Sequence, residues 1–328
     1  MIITRTPLRI PLGGGGTDLP GFYKKYGSLF ISAAIDHYTY VAVKRRPIQG
    51  IRLGYSHIEE VKNIVDIAHP IIKAALGYLK IPTKQGLEIV SIGDLPAGTG
   101  LGSSGSFTVG LINALYHLER QAKPANILAE KASHINMNIL KQPSGKQDEY
   151  IASYGGITCF EINKNGAVKA YPLKISYETI SELQKNMLMF YTGIVRSSTK
   201  ALSEQKTKTA RNDPEITKNL LDIQEIGFEI KEALEKGNTT LFGKLMDKHW
   251  NIKRNRDATT SSQIDKWYNL AKANGALGGK IMGAGGGGFF TFYCEDKKDQ
   301  LRKVMLREGL EEVKFNFDFE GSKLLVNI

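Results

Sequence analysis

A loop rich in glycine and serine that leads directly into a helical pattern constrains this chain more than any other stretch. The loop carries glycine at Gly98, Gly100, Gly102 and Gly105, and apolar residues then recur with helical spacing over residues 111–118. Glycine lacks the Cβ atom that would keep a ligand away from the backbone. The stretch therefore predicts a strand, a ligand-binding loop and a helix in direct succession.

The start of that helix is suited to an anion. Ser103 or Ser104 is predicted to be the N-cap, and the loop would present free N–H groups and the positive end of the helix dipole. A tight turn without a ligand is the alternative, since glycine and serine often only mark turns. The density of both residues favours a phosphate site. No Lys-Ser or Lys-Thr follows the last glycine, which excludes a Walker A loop, and the glycine register excludes the dinucleotide fingerprint.

Composition predicts a soluble cytoplasmic protein. The chain has 328 residues, of which 41% are hydrophobic and 23% charged, enough for one large domain or two packed ones. It has no apolar run of membrane-spanning length, and its first residues lack the layout of a secretory signal. Cys159 and Cys294 lie far apart in strand-like settings, so we expect buried free thiols.

The formal net charge of +11 is compatible with nucleic acid, a membrane surface or an anionic small substrate as partner. The basic residues are scattered, with local clusters at residues 44–46 and 253–256. Neither zinc-finger spacing nor an aromatic RNA-binding signature is present. We therefore expect no nucleic-acid or membrane partner, and a small substrate that carries phosphate fits the surplus.

A second glycine-rich segment lies near the N-terminus. Residues 13–16 are four consecutive glycines, which would cost about 1 kcal/mol each in a helix relative to alanine. A flexible turn is the alternative, but Asp18 follows closely and can accept two sugar hydroxyls at once. The predicted substrate-binding residues here are Gly14, Gly15, Gly16, Thr17 and Asp18.

A third glycine-rich segment, residues 283–288, matches G-x-G-x-x-G but leads into a strand, so it is not a dinucleotide site.

Two further segments are predicted to be helical. Residues 58–79 have a helical pattern that is predicted to break near Pro70. Residues 124–139 also have helical spacing.

The three segments, in this order, resemble the motifs of the GHMP kinases, the family of galactokinase, homoserine kinase, mevalonate kinase and phosphomevalonate kinase. PAGTGLGSSGS at 96–106 is similar to the second motif, P-x-x-x-G-L-G-S-S-A, with Gly105 in the place of alanine. The resemblance implies that this loop binds the phosphates of ATP. The implied nucleotide-binding residues are Pro96, Gly98, Gly100, Leu101, Gly102, Ser103, Ser104 and Gly105.

The N-terminal segment resembles the first motif of that family, in which Pro-x-Arg precedes glycines and Thr-Asp. The resemblance implies that Arg9 lies near the transferred phosphoryl group and that Asp18 holds the sugar. Glycines replace the Glu and His of most sugar kinases here. This form is similar to the branch that contains heptose 7-phosphate kinases and fucokinases.

The turn PSGKQDEY at 143–150 is similar to a G-K-Q-D turn of the same branch. In related kinases its aspartate faces the acceptor hydroxyl, a role that Asp148 would inherit; a helix N-cap is the alternative. Lys146 is close enough in sequence to bind phosphate or to lower the pKa of the aspartate. The implied catalytic residues are Asp148, Arg9 and Lys146.

One departure concerns the metal. The family usually has a magnesium-binding glutamate on the preceding helix, where this chain has Asn136, and Glu130 lies on a different helix face. We therefore expect Mg²⁺ to be held by Ser103 or Ser104, nucleotide oxygens and water.

Further substrate contacts are implied in the C-terminal half. Arg196 follows a Tyr-Thr-Gly segment similar to one of the heptose-kinase branch, and it either binds the sugar phosphate or is a solvated arginine. Gly285 and Gly286 lie in the segment that resembles the third motif.

The resemblance implies an α+β fold with a ribosomal-S5-like N-terminal domain over residues 1–170 and a ferredoxin-like C-terminal domain over residues 171–328. The implied activity is ATP- and Mg²⁺-dependent phosphorylation of the anomeric hydroxyl of a heptose 7-phosphate. A fucokinase or other sugar-1-kinase, a non-catalytic sugar sensor and a basic RNA-binding domain are the alternatives. The sequence leaves the oligomeric state open.

Overall fold

The computed structural model describes residues 1–194, 207, 209, 213–255, 260–283 and 285–328. Its strands are β1 (Ile2–Gly13), β2 (Ser28–Arg46), β3 (Ile51–Gly54), β4 (Ile58–Val61), β5 (Gly86–Gly93), β6 (Ile157–Ile162), β7 (Val168–Pro172), β8 (Met187–Tyr191), β9 (Gly278–Ile281), β10 (Phe289–Tyr293), β11 (Glu311–Glu312) and β12 (Lys323–Asn327). Its helices are α1 (Pro20–Tyr26), α2 (Pro70–Tyr78), α3 (Ser103–Leu118), α4 (Ala125–Ser133), α5 (Gln147–Tyr154), α6 (Tyr177–Asn186), α7 (Pro214–Glu235), α8 (Thr239–Lys253), α9 (Ser262–Ala273) and α10 (Lys298–Arg307).

The larger sheet is organised around β2, a strand of 19 residues that is buried over most of its length. β1 pairs with it along one side, with register shifts after Pro7 and Pro11. On its other side the first half pairs with β6 and the second half with β5. The strand order is β12-β1-β2-β5-β3-β4, and β7 extends the sheet beyond β6. The pairing fixes the end of β1 beside the loop that leads into α3.

The smaller sheet is antiparallel with the order β11-β8-β10-β9. Helices connect β8 to β9 and β10 to β11, whereas β9 and β10 are joined by the third glycine-rich segment. This is the β-α-β-β-α-β connectivity of ferredoxin-like domains. The expected α+β fold is thereby confirmed.

The two sheets share one hydrophobic core. Leu12 and Ile31 of the larger sheet belong to the same buried cluster as Met282 and Phe289 from the ends of β9 and β10. Burial of apolar area contributes about 25 cal/mol per Å², so this shared core fixes the relative position of the two sheets. Within the described ranges, no helix combines the length and the apolarity that a bilayer crossing needs.

Two expectations are corrected. Residues 58–61 form the strand β4 instead of the first turn of a helix. Within the predicted range 58–79, the α-helix is Pro70–Tyr78. The helix predicted over residues 124–139 changes to a π-helix at His134. β12 pairs with β1, so residues 323–327 complete the larger sheet although they follow the expected boundary at residue 170, which itself stays a prediction.

Candidate active site

A cavity lies at the junction of several elements. These are the loop before α3, the end of β1, the start of α5, the last turns of α8, and β9. Its lining includes Gly98, Gly100, Gly102, Ser103 and Ser104 from the loop before α3, and Gly15, Gly16, Asp18, Ser144, Gly145, Gln147 and Asp148 from the N-terminal segment and the start of α5. It also includes Arg9, Pro11, His249, Lys253, Lys280 and Gly283. The cavity thus unites parts of all three glycine-rich segments.

The helix α3 begins without a side-chain cap. Its N-cap is Gly102, in the left-handed region with φ of 80°, and Ser103 is the first helical residue. The prediction that a serine caps this helix is therefore wrong. Because the N-cap glycine has no side chain that could accept a hydrogen bond, the first N–H groups of α3 remain available to an anion.

The loop before α3, here called the phosphate loop after its predicted ligand, also needs glycine for packing. A Cβ at Gly100, whose φ is 83°, would lie only 2.6 Å from the carbonyl oxygen of Met282. The loop is thus pressed against the start of the third glycine-rich segment. Of the eight residues predicted to bind nucleotide, Gly98, Gly100, Gly102, Ser103 and Ser104 line the cavity.

The other three predicted nucleotide-binding residues support the loop from outside the cavity. The carbonyl of Pro96 accepts from Thr99 Oγ1 at 2.8 Å. Leu101 is buried in the core, and its carbonyl accepts from Arg9 N at 3.0 Å. Gly105 packs against α5. Their structural role follows from packing that the local motif does not reveal.

Arg9 and Asp148 form the central ion pair. Arg9 is 5% exposed, and its Nε and Nη2 donate to Oδ1 of Asp148 at 2.8 and 2.6 Å. Nη1 donates to the carbonyl of Gly100 at 2.5 Å. Within the described ranges no hydrogen bond ends on Oδ2 of Asp148, although this residue lines the cavity. A substrate hydroxyl can therefore reach that oxygen.

Gly105 sets the distance between α3 and α5. A Cβ at this position would lie 2.6 Å from Cβ of Asp148 and 3.1 Å from the backbone nitrogen of Glu149. Real Cβ atoms do not approach so closely, so this chain packs the two helices in a way that alanine does not allow. The departure from the family motif is thereby connected to the position of Asp148.

Asp18 joins the first glycine-rich segment to the start of α5. Its Oδ1 accepts from Gly16 N at 3.2 Å, and its Oδ2 accepts from Gln147 N at 2.9 Å. Burial raises the pKa of Asp18, an effect that the hydrogen bond from Gln147 opposes and the charge of Asp148 reinforces. A Cβ at Gly145 would lie 2.0 Å from Oδ2, so this position has no room for a side chain.

The other predicted substrate-binding residues of the N-terminal glycine-rich segment have two different roles. Gly15 and Gly16 line the cavity. Thr17 is fully buried outside it, where its hydroxyl donates to the carbonyl of Gly14 at 2.8 Å and contacts Ser28 Oγ at 2.6 Å. Gly14 and Thr17 thus shape the loop that presents Gly15, Gly16 and Asp18.

Lys146 does not line the cavity. Its Nζ donates to Oε1 of Glu130 at 2.6 Å and to the carbonyl of Gly166 at 2.9 Å, and it lies 5.7 Å from the centre of the Tyr150 ring. The structure therefore brings Arg9 and Asp148 together and places the Lys146 ammonium with Glu130. The reason is that α4, which carries Glu130, packs beside this turn. The spacing of residues within the turn does not predict that contact.

A buried carboxyl group lies behind Asp148. Oε1 of Glu149 accepts from Nδ2 of Asn136 at 2.7 Å, and that amide also contacts Thr108 Oγ1 at 3.2 Å. Within the described ranges Oε2 of Glu149 has no hydrogen-bond partner. Burial, followed by the charge of Asp148, raises the pKa of Glu149 to about 8. Asn136 and Glu149 do not line the cavity.

The basic wall was missed by the sequence analysis. His249 and Lys253 lie on the last turns of α8, and Lys280 lies on β9. Nζ of Lys253 donates to the carbonyls of Ile281 and Gly283 at 3.2 and 2.6 Å. A lysine inside the otherwise uncharged strand GGKI was the available signal. Lys253, by contrast, belongs to the basic cluster at residues 253–256, to which the sequence analysis assigned no site.

The third glycine-rich segment reaches the cavity through Gly283; Gly285 and Gly286 do not line it. Gly283 packs on the phosphate loop, since a Cβ there would lie 2.7 Å from Cα of Gly100. Arg196 lies outside the described residues, so its predicted contact with the sugar phosphate stays a prediction.

The donor set suits magnesium. The cavity presents the hydroxyls of Ser103 and Ser104 and the carboxylate of Asp148, all of them oxygen donors. Mg²⁺ typically takes one or two carboxylates, keeps several waters and binds substrate phosphates. Among the described residues no group of three or more His, Cys, Asp or Glu side chains is arranged to hold a metal.

The comparisons with known proteins decide the family. The description "GHMP kinases N terminal domain" matches residues 65–156, and "GHMP kinases C terminal" matches residues 230–310. D-glycero-alpha-D-manno-heptose 7-phosphate kinase of Campylobacter jejuni is 30% identical over 98% of each chain. The chain belongs to the GHMP kinase family. It is accordingly a sugar kinase, a phosphotransferase that depends on ATP.

Solved structures support this assignment of the GHMP fold. A putative sugar kinase from Campylobacter jejuni has a TM-score of 0.78 at 28% identity and covers 99% of this chain and 98% of its own. A D-glycero-D-manno-heptose 1-phosphate kinase from Bacteroides thetaiotaomicron has a TM-score of 0.82 at 22% identity, with complete coverage of both chains. At that identity the second comparison shows the fold alone.

Proposed function

We propose that this GHMP kinase phosphorylates the anomeric hydroxyl of D-glycero-D-manno-heptose 7-phosphate to give the 1,7-bisphosphate. The observation that supports this best is the Arg9–Asp148 pair beside the phosphate loop, in which Oδ1 is occupied by the arginine and Oδ2 is left for an acceptor hydroxyl. The 30% identical relative supports heptose 7-phosphate as the acceptor. We further propose that the enzyme acts in the cytoplasm.

In the proposed step the anomeric oxygen of the acceptor attacks the γ-phosphorus of ATP. The bond between that phosphorus and the β–γ bridging oxygen breaks, and ADP leaves with the electron pair. The hydroxyl proton passes to Oδ2 of Asp148. Arg9 orients this carboxylate and offsets charge on the transferring group, while N–H groups at the start of α3 bind the nucleotide phosphates.

Two further groups complete the proposed site. Asp18, with Gly15 and Gly16, would hold the sugar, because all three line the cavity. Mg²⁺ would be held by Ser103 or Ser104 together with nucleotide phosphate oxygens and water, and would supply charge neutralisation.

The experiment is ADP release from ATP and Mg²⁺ across heptose 7-phosphate, mannose, fucose, galactose and mevalonate, with wild type and Asp148→Asn. We expect turnover with heptose 7-phosphate, and a fall of at least about a hundredfold in kcat for Asp148→Asn, as is usual for loss of a general base. The matched control is Asp299→Asn, because Asp299 is 88% exposed and does not line the cavity.

Each other result has a distinct meaning. Turnover on a free sugar, with none on heptose 7-phosphate, would leave a sugar-1-kinase such as a fucokinase. Binding of ATP without turnover on any acceptor would leave the non-catalytic sensor. A fully active Asp148→Asn variant would remove Asp148 from the chemistry.

A further inference from the structure

Lys280 is a fully buried lysine on the wall of the active-site cavity. The residue is 1% exposed and yet lines the cavity. Its Nζ lies 3.1 Å from the carbonyl oxygen of Leu12 and 3.1 Å from Nδ1 of His249. These two contacts fix the ammonium between the end of β1 and the last turns of α8.

The surroundings of this ammonium are cationic. Among the described residues no carboxylate lies within salt-bridge distance of it, and the charged groups that act on it are Lys253 and Arg9. Burial, followed by these two cations, lowers the pKa of Lys280 well below its ordinary value. A buried cation among like charges is costly unless an anion is bound nearby.

Two of the three N–H donors of the Lys280 ammonium are used by the protein, which leaves the third for a ligand. An ammonium has three N–H donors, of which the carbonyl of Leu12 and Nδ1 of His249 take two. The third can reach the cavity that the residue lines. A phosphate group is the matching ligand, since it supplies both charge and acceptor oxygens.

We propose that Lys280 is an anion-binding residue on the wall of the active-site cavity, and that its ligand is a phosphate group of one of the two substrates. The phosphate is either the ester group of the acceptor or the phosphoryl group in transfer. This inference rests on the proposed function as a sugar-phosphate kinase. It gives that function a second phosphate contact besides the loop before α3.

The test compares wild type with Lys280→Met, which keeps the length of the side chain and removes its charge. Lys298→Met is the matched control, because Lys298 donates one hydrogen bond to Asn186 outside the cavity. The readouts are kcat, the KM for heptose 7-phosphate, and the KM for ATP, with thermal unfolding as the check on folding. If Lys280→Met unfolds early, Lys280→Gln keeps a donor for the carbonyl of Leu12.

The two sources of phosphate give different patterns. If Lys280 binds the acceptor's ester group, the KM for heptose 7-phosphate rises about tenfold to a hundredfold and the KM for ATP is unchanged. If it binds the transferring group, kcat falls by a similar factor and both KM values hold. A folded Lys280 variant within twofold of wild type in all three quantities overturns the proposal.

Failure of the proposed function is seen separately, because wild type itself would then show no turnover with heptose 7-phosphate. In that case calorimetric titration with inorganic phosphate decides the inference. Binding that is at least tenfold weaker in Lys280→Met supports an anion site. Equal binding by the two proteins overturns it.

Discussion

Nε and Nη2 of Arg9 both donate to a single carboxylate oxygen, Oδ1 of Asp148, while Nη1 of the same guanidinium donates to the carbonyl of Gly100. One planar group therefore ties the candidate base to the backbone of the phosphate loop. Any shift of the loop is transmitted to Asp148 through a rigid fork of donors. The two halves of the proposed reaction, nucleotide binding and proton transfer, share this group.

Replacement of Arg9 by lysine is expected to retain the charge and lose the fork. Lysine has a single ammonium that cannot reach Oδ1 and the carbonyl of Gly100 in the same geometry. We expect kcat to fall about tenfold to a hundredfold with a smaller change in the KM for ATP. Arg302→Lys is the control, because Arg302 Nε contacts both oxygens of Glu312 away from the cavity. Equal activity of the two variants would contradict the role of the fork.

Gly105→Ala restores the residue that the family motif usually has. Here we expect it to lower activity, because the added methyl group would contact the backbone and Cβ of Asp148 at distances that force α5 to move. A loss of about 1–3 kcal/mol of unfolding free energy and a clear fall in kcat are expected. Thermal unfolding and steady-state kinetics measure both. Gly77→Ala, at a site with open space around the Cβ, is the control.

Lys146→Met separates the two interpretations of this residue. Its contacts with Glu130 and Gly166 predict a loss of about 1–2 kcal/mol of stability. Because its Nζ is outside the cavity lining, kcat is expected to change less than threefold. A fall in kcat beyond tenfold in a folded variant would instead place the ammonium in the chemistry, as the sequence motif implied.

Glu149 predicts a dependence of stability on pH. Its folded pKa of about 8 exceeds the ordinary 4.5, so between these values the folded state holds a proton that the unfolded state has released. The free energy of unfolding should therefore fall as pH rises from 4.5 to about 8 and level off above it. Glu149→Gln stays neutral and should lose this slope.

Chemical denaturation at several pH values measures the effect. Near pH 9 the Glu149→Gln variant should be more stable than wild type by up to a few kcal/mol, and near pH 4.5 the two should be equal. Parallel curves for the two proteins over this range would show that Glu149 is ionised at neutral pH in the folded state.

Local patterns predicted the glycine loop before α3 and the helix that follows it. They failed at Ile58–Val61, where the spacing of apolar residues matches a helix although the segment pairs with β3. Short apolar runs do not distinguish the two structures, and tertiary pairing decides between them.

Site residues could be predicted where they belong to a motif of adjacent residues. Contacts between residues that are far apart in the sequence could not. Arg9 and Asp148 could be named from their motifs, but their hydrogen bonds depend on Gly105, 43 positions before Asp148 in the printed sequence. Lys280 has no partner nearby in sequence; Leu12 reaches it from 268 residues away. No local pattern reports a contact of that span.

The pairing of β12 with β1 also determines the order in which the chain can fold during synthesis. The ribosome delivers β1 first, but the outer edge of its first residues, 2–5, pairs with residues 323–327, which are made after all three glycine-rich segments. Until then β1 offers an exposed edge, of the kind that pairs with other chains. A nascent or truncated chain that stops before β12 is therefore the form that most needs protection from aggregation.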